Sequence, residues 1–248
     1  MGIFSTICVI STVWCAEYLI NKERLHTKDI RRLLNTIKPE FSEIYNEKYI
    51  ELLYRNYMLT DFNDDIYKKN LSQNLEKYNK IIVIAPGSSL SNFTLEKELL
   101  HDACVITINF IYEKIKADFQ FFSNTKRLGY VDSFEQSNLI ITSNLINDVE
   151  NANYIISRNE LSYHDDIYCD DSTLMLLNLL KICGKKNIFL IGFDGFKKNQ
   201  NNFYEPELER KVRDDDYDSK TRIDILKKAY SSMNIKFLTP SLYMEDKS

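Results

Sequence analysis

The stretch Lys80–Leu90, KIIVIAPGSSL, limits the fold more than any other part of this chain. Five apolar residues, Ile81 to Ala85, run without a break and stop at Pro86-Gly87-Ser88-Ser89. A short β-branched run ended by turn residues reads as a strand buried on both faces. Such strands occupy the middle of parallel sheets, where helices cover both sides. Gly87 has backbone freedom that other residues lack, so the chain can turn sharply there and bring N–H groups up to a ligand. A small, hydroxyl-bearing turn after a first buried strand suits a phosphate or a sugar. A plain strand-to-helix turn would use the same residues, so neighbouring segments must decide between the two.

Those segments repeat the pattern. Ala103–Ile108 ends in Asn109, Asp118–Ser123 in Asn124, Leu139–Ser143 in Asn144, and Tyr154–Ser157 in Arg158. Asn92 or Thr94 can cap a helix over Leu95–His101, and Asp171 or Ser172 a strongly apolar helix over Thr173–Cys183 that stops at Gly184. Asn187–Ile191 is another buried run, ending Gly192-Phe193-Asp194-Gly195; a helix from about Lys220 to Ser232 and a strand over Ile235–Leu238 follow. Strands interleaved with helices imply an α/β fold with a mostly parallel open sheet and helices on both faces, Rossmann-like in outline.

Residues 17 to 79 read as helical instead. Thr27 can cap Lys28–Ile37, Ser42 can cap a helix with an aromatic stripe from Ile44 to Tyr57, and a more polar helix from about Asp64 to Tyr78 reads as a connector lying on the main domain. The aromatic stripes read as packing surfaces. The expected organisation is a helical appendage over 1–79 and a ligand-binding α/β domain over 80–248. The 248 residues, 44% hydrophobic and 12% aromatic, suit one such domain of about 170 residues plus an appendage. Met1–Ala16 has no charge and is apolar from Ile3 to Trp14, yet it lacks a basic leader and is too short to span a bilayer. A buried element is favoured there; a signal or anchor is the alternative.

Net charge is −4 and the pI is about 5.5, which argues against a nucleic-acid partner. The five cysteines, Cys8, Cys15, Cys104, Cys169 and Cys183, form no C-x-x-C pair, so reduced and mostly buried thiols in the cytoplasm are expected, with no zinc site.

The chemistry gathers at the strand ends. Ligands of open parallel sheets bind outside the carboxyl ends of the strands. Asn109, Asn124 and Asn144 would stand there side by side, offering donors and acceptors without charge. With Gly87, Ser88 and Ser89 on one turn and Asp194 on another, they suit a ligand dense in hydroxyls and carbonyls, such as a nucleotide or a sugar. Strand-end Asn residues also make ordinary turns. Ser172 and Thr173 open a helix and can bind an anion, or simply cap it. His164, in Tyr163-His164-Asp165-Asp166, is a candidate general base or a solvated loop residue. Asp214, Asp215, Asp216 and Asp218 can supply a base or a cation site, or form a solvated loop. Lys126-Arg127 can meet an acidic group or lie on the surface.

Several blocks, in order, resemble the bacterial sialyltransferase-like glycosyltransferases of family 42 and its relatives: IIVIAPGSSL, TINFIYE, FFSN, ITSN, YHDDIYCDDSTLMLLNLLKICGKKNIFLIGFDGF and IDILKKAYSSMNIKFLTPSLY. The resemblance covers about residues 80–243. It implies transfer of sialic acid or a related acidic sugar from a CMP-linked donor, with inversion, without metal and without a cofactor beyond the donor. It matches Asn109 and Asn124 to donor-nucleotide contacts and Ser172 and Thr173 to the phosphate-contacting segment. Three positions depart from the family. Pro86 stands for a nucleotide-contacting Asn, and Asp170 or Asp171 for an Arg. The interval that holds the family's catalytic His holds Asp214, Asp215, Asp216 and Asp218 here. Either a carboxylate of this interval acts as base, or the donor differs, or activity has been lost.

EYLINKERLHTKDIRRLL and KYIELLY also resemble the tail of aldolase-like barrels of bacterial surface-polysaccharide loci, some of which carry a C-terminal domain like residues 80–243. That resemblance implies no aldolase activity, because the barrel's metal-binding residues are absent. The expected function is glycosyl transfer to a glycan or lipid-linked glycan in polysaccharide or lipooligosaccharide synthesis, in the cytoplasm, with peripheral association at the inner face of the membrane left open. The alternatives are a non-catalytic binding module left from such a fusion, or pyrophosphate transfer like that of the pterin diphosphokinases, which share a similar Gly-Ser-Leu turn.

Overall fold

The computed structural model describes residues 62–128, 138–146, 148–149, 151–162, 171–208, 217 and 219–244. The readings of the N-terminal apolar run and of the helices before residue 62 fall outside these residues, as do Cys8, Cys15 and Cys169. The chain divides into Met1–Asp61 and Phe62–Ser248. The boundary therefore lies at 61/62 and not near 79, because the third helix is built into the α/β unit. That helix, α1 (Asp65–Glu76), buries Leu71 and Leu75 completely. Just before it, the Asp64 carboxylate accepts the Ser157 N–H at 2.8 Å and pairs with Lys68 at 3.0 Å.

Seven strands follow among the described residues: β1 (Lys80–Ile84), β2 (Ala103–Ile108), β3 (Phe119–Phe122), β4 (Asn138–Thr142), β5 (Tyr154–Ile156), β6 (Asn187–Ile191) and β7 (Asn234–Phe237). They form one sheet in the order β5-β4-β3-β2-β1-β6-β7, and every pairing between them is parallel. The expected α/β fold is thus present, and its sheet is parallel throughout. β1 lies between β2 and β6, which explains why its sequence has no polar face: Ile81, Ile82, Val83 and Ile84 are all 0% exposed. Burying each such side chain is worth about 1.5–3 kcal/mol.

The two faces are covered differently. Ile81 and Val83 of β1 share a core with α1, with α5 (Ser172–Ile182) and with α6 (Ser219–Ala229), through Leu71, Leu75, Leu174, Leu177 and Ile225. Ile82 and Ile84 face the other way, toward Leu90, Leu99 and Leu100. Those residues belong to a 3-10 turn, Ser88–Asn92, and to the short helix α2 (Lys97–Leu100). The helix expected over Leu95–His101 is therefore shorter, and neither Asn92 nor Thr94 caps it; Glu96 stands at its start without a side-chain cap. Two further short helices, α3 (Thr125–Leu128) and α4 (Arg158–Leu161), follow β3 and β5.

α5 is apolar nearly all round, and its residues Thr173–Leu177, Leu179 and Leu180 are buried, as expected of a core helix. Gly184 ends it in the left-handed conformation at φ +72°. Cys104 is a buried free thiol on β2, and Cys183 is free and half-buried.

Candidate functional site

The chain steps outward from β1 through β2, β3, β4 and β5, then returns to lay β6 on the other side of β1. The crevice at such a reversal is where ligands enter open α/β sheets. Here backbone bonds bridge it directly: Ala85 N–H to the Ile191 carbonyl at 2.8 Å and Gly87 N–H to the Gly192 carbonyl at 2.9 Å. Gly87 has φ −73°, an ordinary value, so backbone freedom is not its purpose. It is glycine because a Cβ there would lie 2.2 Å from the Gly192 carbonyl oxygen and 2.6 Å from Asp194 Oδ2. Its N–H is spent on β6 and does not face a ligand. Gly192 is required twice over, by φ +69° and by a would-be Cβ 2.1 Å from the Ala85 oxygen.

The Ser88-Ser89 turn is filled by a side chain of the protein itself. Asp194 Oδ2 accepts the Ser89 N–H at 2.7 Å and the Ser88 hydroxyl at 3.4 Å, while Oδ1 accepts the Ser89 hydroxyl at 2.6 Å. This carboxylate takes up the donors that the sequence offered to a phosphate. Burial pushes the Asp194 carboxyl above its ordinary value, against the opposing pull of the Ser89 and Ser88 hydrogen bonds and of the Lys197 charge. Pro86 serves the same junction: its carbonyl accepts the Tyr204 N–H at 2.9 Å, and Gly87 bridges Phe203.

The Asn-ended strands meet at a second group of residues. Asn109 sits in the left-handed conformation, φ +59°, and is 8% exposed. Its Oδ1 accepts the Ser123 N–H at 3.0 Å, which fixes the amide's orientation, and its Nδ2 donates to Ser172 Oγ at 2.7 Å. Ser123 Oγ and Ser172 Oγ are 2.6 Å apart. Ser123 is 3% exposed, and its hydroxyl has no other acceptor among the described residues. Either hydroxyl can be the donor of this bond; with Ser123 donating, its buried hydrogen is placed. In that arrangement Ser172 Oγ accepts twice, and its own hydrogen points away from both donors. Two incoming bonds strengthen that hydroxyl as a donor.

Asn144 is half-buried and joins through Ser123: its Nδ2 donates to the Ser123 carbonyl at 3.4 Å, and its Oδ1 accepts from Thr142 Oγ1 at 2.6 Å. The same Ser123 carbonyl accepts Arg158 Nη1 at 2.8 Å, and Arg158 is 4% exposed. Asn124 is exposed at the same edge. The cap of α5 is Asp171, whose Oδ1 accepts the Thr173 and Leu174 N–H groups at 3.0 and 3.2 Å and whose Oδ2 takes Arg222 Nε at 3.4 Å. The helix start is thus already neutralised by a carboxylate. Thr173 is 6% exposed and sits in the interior, so Ser172 alone remains of that pair as a ligand contact.

Asn109, Asn144 and Ser172 are brought together, while Ser88, Ser89 and Asp194 form a separate group at the reversal point. Ser123 and Arg158 went unassigned from sequence. The signal was there: Ser157-Arg158 follows β5 as Ser123-Asn124 follows β3 and Ser143-Asn144 follows β4. His164, Asp214, Asp216 and Asp218 lie outside the described residues.

Beside the reversal point a cavity of about 390 Å³ is lined by Ser88, Asn92, Asp194, Lys197, Gln200 and Leu242, among others. Among the described residues, no group of three or more His, Cys, Asp or Glu could hold a metal ion, and no helix is long and apolar enough to cross a membrane. Compared with known proteins, the chain matches no family model, no curated protein and no solved structure.

Proposed function

We propose that the protein is a glycosyltransferase that moves a sugar from a nucleotide-activated donor, a CMP-linked acidic sugar, to a glycan or lipid-linked glycan in the cytoplasm. The observation that carries this reading is the meeting of Asn109 Nδ2 and Ser123 Oγ at the Ser172 hydroxyl. With Ser123 as the donor, one strengthened O–H is left to donate at the carboxyl edge of the sheet and at a helix start. Such a donor suits the oxygen that takes up charge when a sugar–phosphate bond breaks.

In the proposed reaction an acceptor hydroxyl attacks the anomeric carbon, and the bond to the phosphate oxygen breaks as the new bond forms. The electron pair goes to the nucleotide phosphate, where Ser172 donates a hydrogen bond. The acceptor proton passes to a general base, for which His164 and the carboxylates Asp214, Asp216 and Asp218 are the proposed candidates. Asn109, Asn124 and Asn144 orient the nucleotide. Pro86 has no amide to offer, and its carbonyl is engaged by Tyr204, so nucleotide contacts come from the ends of β2, β3 and β4 and not from β1.

Incubation with CMP-linked sialic acid and a neutral oligosaccharide acceptor tests this reading through CMP release and mass of the product. Transfer that is lost in Ser172→Ala, and in either His164→Ala or an Asp214, Asp216, Asp218 triple Asn variant, is expected. CMP release that does not depend on acceptor, or no release with any nucleotide sugar, would contradict it.

A second reading, a non-catalytic binding module, draws on the two carboxylates Asp194 and Asp171. Each fills an anion site of the fold from within. Transfer activity in the same assay would exclude it.

A further inference from the structure

The cavity beside the reversal point is a built compartment. Its first wall is the turn after β1, with Ser88, Ser89 and Asn92; its second is Asp194 and Gly195 after β6. The loop of residues 197–202 forms a third and is closed on itself by Asn202. That side chain is 8% exposed, accepts the Lys197 N–H at 2.7 Å, and donates to the Lys197 and Gln200 carbonyls at 3.2 and 3.1 Å. Pro240, Ser241 and Leu242 form the remaining side, pinned by Ser241 Oγ to the Phe193 carbonyl at 2.6 Å and by Leu242 N–H to the Asp194 carbonyl at 2.8 Å. The first, second and fourth walls are therefore tied to one another, and the third runs on into Phe203, which bridges Gly87 of the first. A pocket held in this way needs little ordering when it takes a ligand.

The lining specifies the ligand. The side-chain amides of Asn92 and Gln200 are exposed and make no hydrogen bond to another described residue. Each can donate and accept at once, the requirement for adjacent hydroxyls. Among the described residues of the lining, Asp194 is the anion and Lys197 the cation, so their charges offset each other. A carboxylate has about four acceptor positions, and the Ser88 and Ser89 donors take three on Asp194, one on Oδ1 and two on Oδ2. The position left over is on Oδ1. Pro240 and Leu242 add apolar surface, and Leu242 is 36% exposed. The volume of about 390 Å³ is at the small end of ligand pockets. Amides on one side, apolar carbons on another and an unfilled carboxylate position together fit the rim, the C–H face and a hydroxyl of an uncharged sugar ring.

We propose that this cavity binds an uncharged sugar ring, with Asn92 and Gln200 on its hydroxyls and Asp194 Oδ1 accepting from one of them, and that it is the acceptor subsite of the transfer reaction. The acceptor role rests on the glycosyltransferase reading; the sugar binding does not. The strand order supports the role. Ser172 is bonded to residues that follow β2 and β3, while the cavity lies at the ends of β1 and β6. Two strand spacings, roughly 10 Å, separate the ends of β2 and β6, which leaves room for the donor's own sugar between phosphate and acceptor.

Saturation-transfer NMR on the full chain, with the methyl glycosides of glucose, galactose and N-acetylglucosamine and with N-acetylneuraminate, tests the assignment. Saturation of at least one neutral ring is expected, falling at least fivefold in Asn92→Ala/Gln200→Ala. Both positions are exposed, so the double variant should keep the wild-type melting curve. Ser172→Ala should leave the sugar signal unchanged. No saturation of any neutral ring, equal saturation in the double variant, or stronger saturation of N-acetylneuraminate than of every neutral ring would overturn the proposal. CMP titration of the same samples separates the two claims. Sugar binding without CMP binding removes the acceptor role and keeps the subsite; CMP binding without sugar binding removes the subsite and its role together and leaves the glycosyltransferase reading standing.

Discussion

Asp194 Oδ1 takes the Ser89 hydroxyl at 2.6 Å while its Oδ2 takes the Ser89 N–H at 2.7 Å, so one residue of the β1 turn is held by both oxygens of one carboxylate from β6. The two residues are 105 positions apart in sequence. The pair closes the crevice at the point where the sheet reverses direction, and it converts a turn with the makings of an anion site into a latch.

Asp194→Ala should destabilise the protein by about 2–3 kcal/mol, since hydrogen bonds to a charged group are the stronger class. It also leaves the Ser89 N–H and both hydroxyls without their acceptor. Inorganic phosphate should then restore part of the lost melting temperature in the variant and leave the wild type unmoved. Equal phosphate response in both proteins would show that the turn was open to anions from the start.

The raised pKa of Asp194 has a signed consequence. Between the ordinary value of 3.8 and the raised one, the folded chain keeps this proton more of the time than the unfolded chain does. Stability from this group therefore falls as pH rises through that window and is level above it. Melting curves of wild type and Asp194→Asn, compared from about pH 3.5 to 7, should show the wild type losing ground to the variant as pH rises. A wild type that gains on the variant over the same range would mean that the Ser89 and Ser88 hydrogen bonds outweigh burial.

Gly87→Ala should cost about 3 kcal/mol or more, because its Cβ would meet backbone and the latch carboxylate rather than a movable side-chain end. Gly184→Ala is the control. That position needs φ +72° but has nothing within 4 Å of an added Cβ, so the cost should be only about 1–2 kcal/mol, from backbone strain alone. Urea unfolding of the two variants separates steric approach from backbone conformation.

These contrasts show what could be read in advance. The run Asn187–Ile191 was legible to the residue, because a strand buried by its neighbours carries an unbroken apolar signature. α5 was legible for a similar reason, as a long apolar stretch with a stop glycine. The helix around Lys97–Leu100 was legible as a helix but not in its bounds or its cap, since a single helical turn has too few residues to show a period. Gly87 was found but for the wrong reason: sequence shows that a side chain is missing, and only the approach of Gly192 and Asp194 shows why. The latch was illegible because nothing local links Ser89 to Asp194. The same holds for Ser123, whose hydroxyl gains its role only where β3 ends beside the start of α5. Asn109, Asn144 and Ser172 could be anticipated, because strand ends and helix starts in this fold class share one edge. Their mutual hydrogen bonds, which decide which of them still has a donor to offer, could not.

With Ser123 as the donor of their shared bond, Ser123 and Ser172 are unequal. Ser172→Ala removes the proposed ligand donor and strands Asn109 and Ser123, so CMP affinity should fall about tenfold, a loss near 1.4 kcal/mol. Ser123→Ala removes one incoming donor and leaves the Ser172 hydroxyl in place, so affinity should fall only about two- to threefold.

Calorimetric titration of the full chain with CMP, run beside Ser172→Ala and beside UMP and AMP as comparators, tests the central claim most directly. One CMP per chain is expected, bound more tightly than UMP or AMP and about tenfold more weakly by the Ser172→Ala variant. The absence of binding heat with all three nucleotides, or CMP affinity unchanged by Ser172→Ala, would contradict the account.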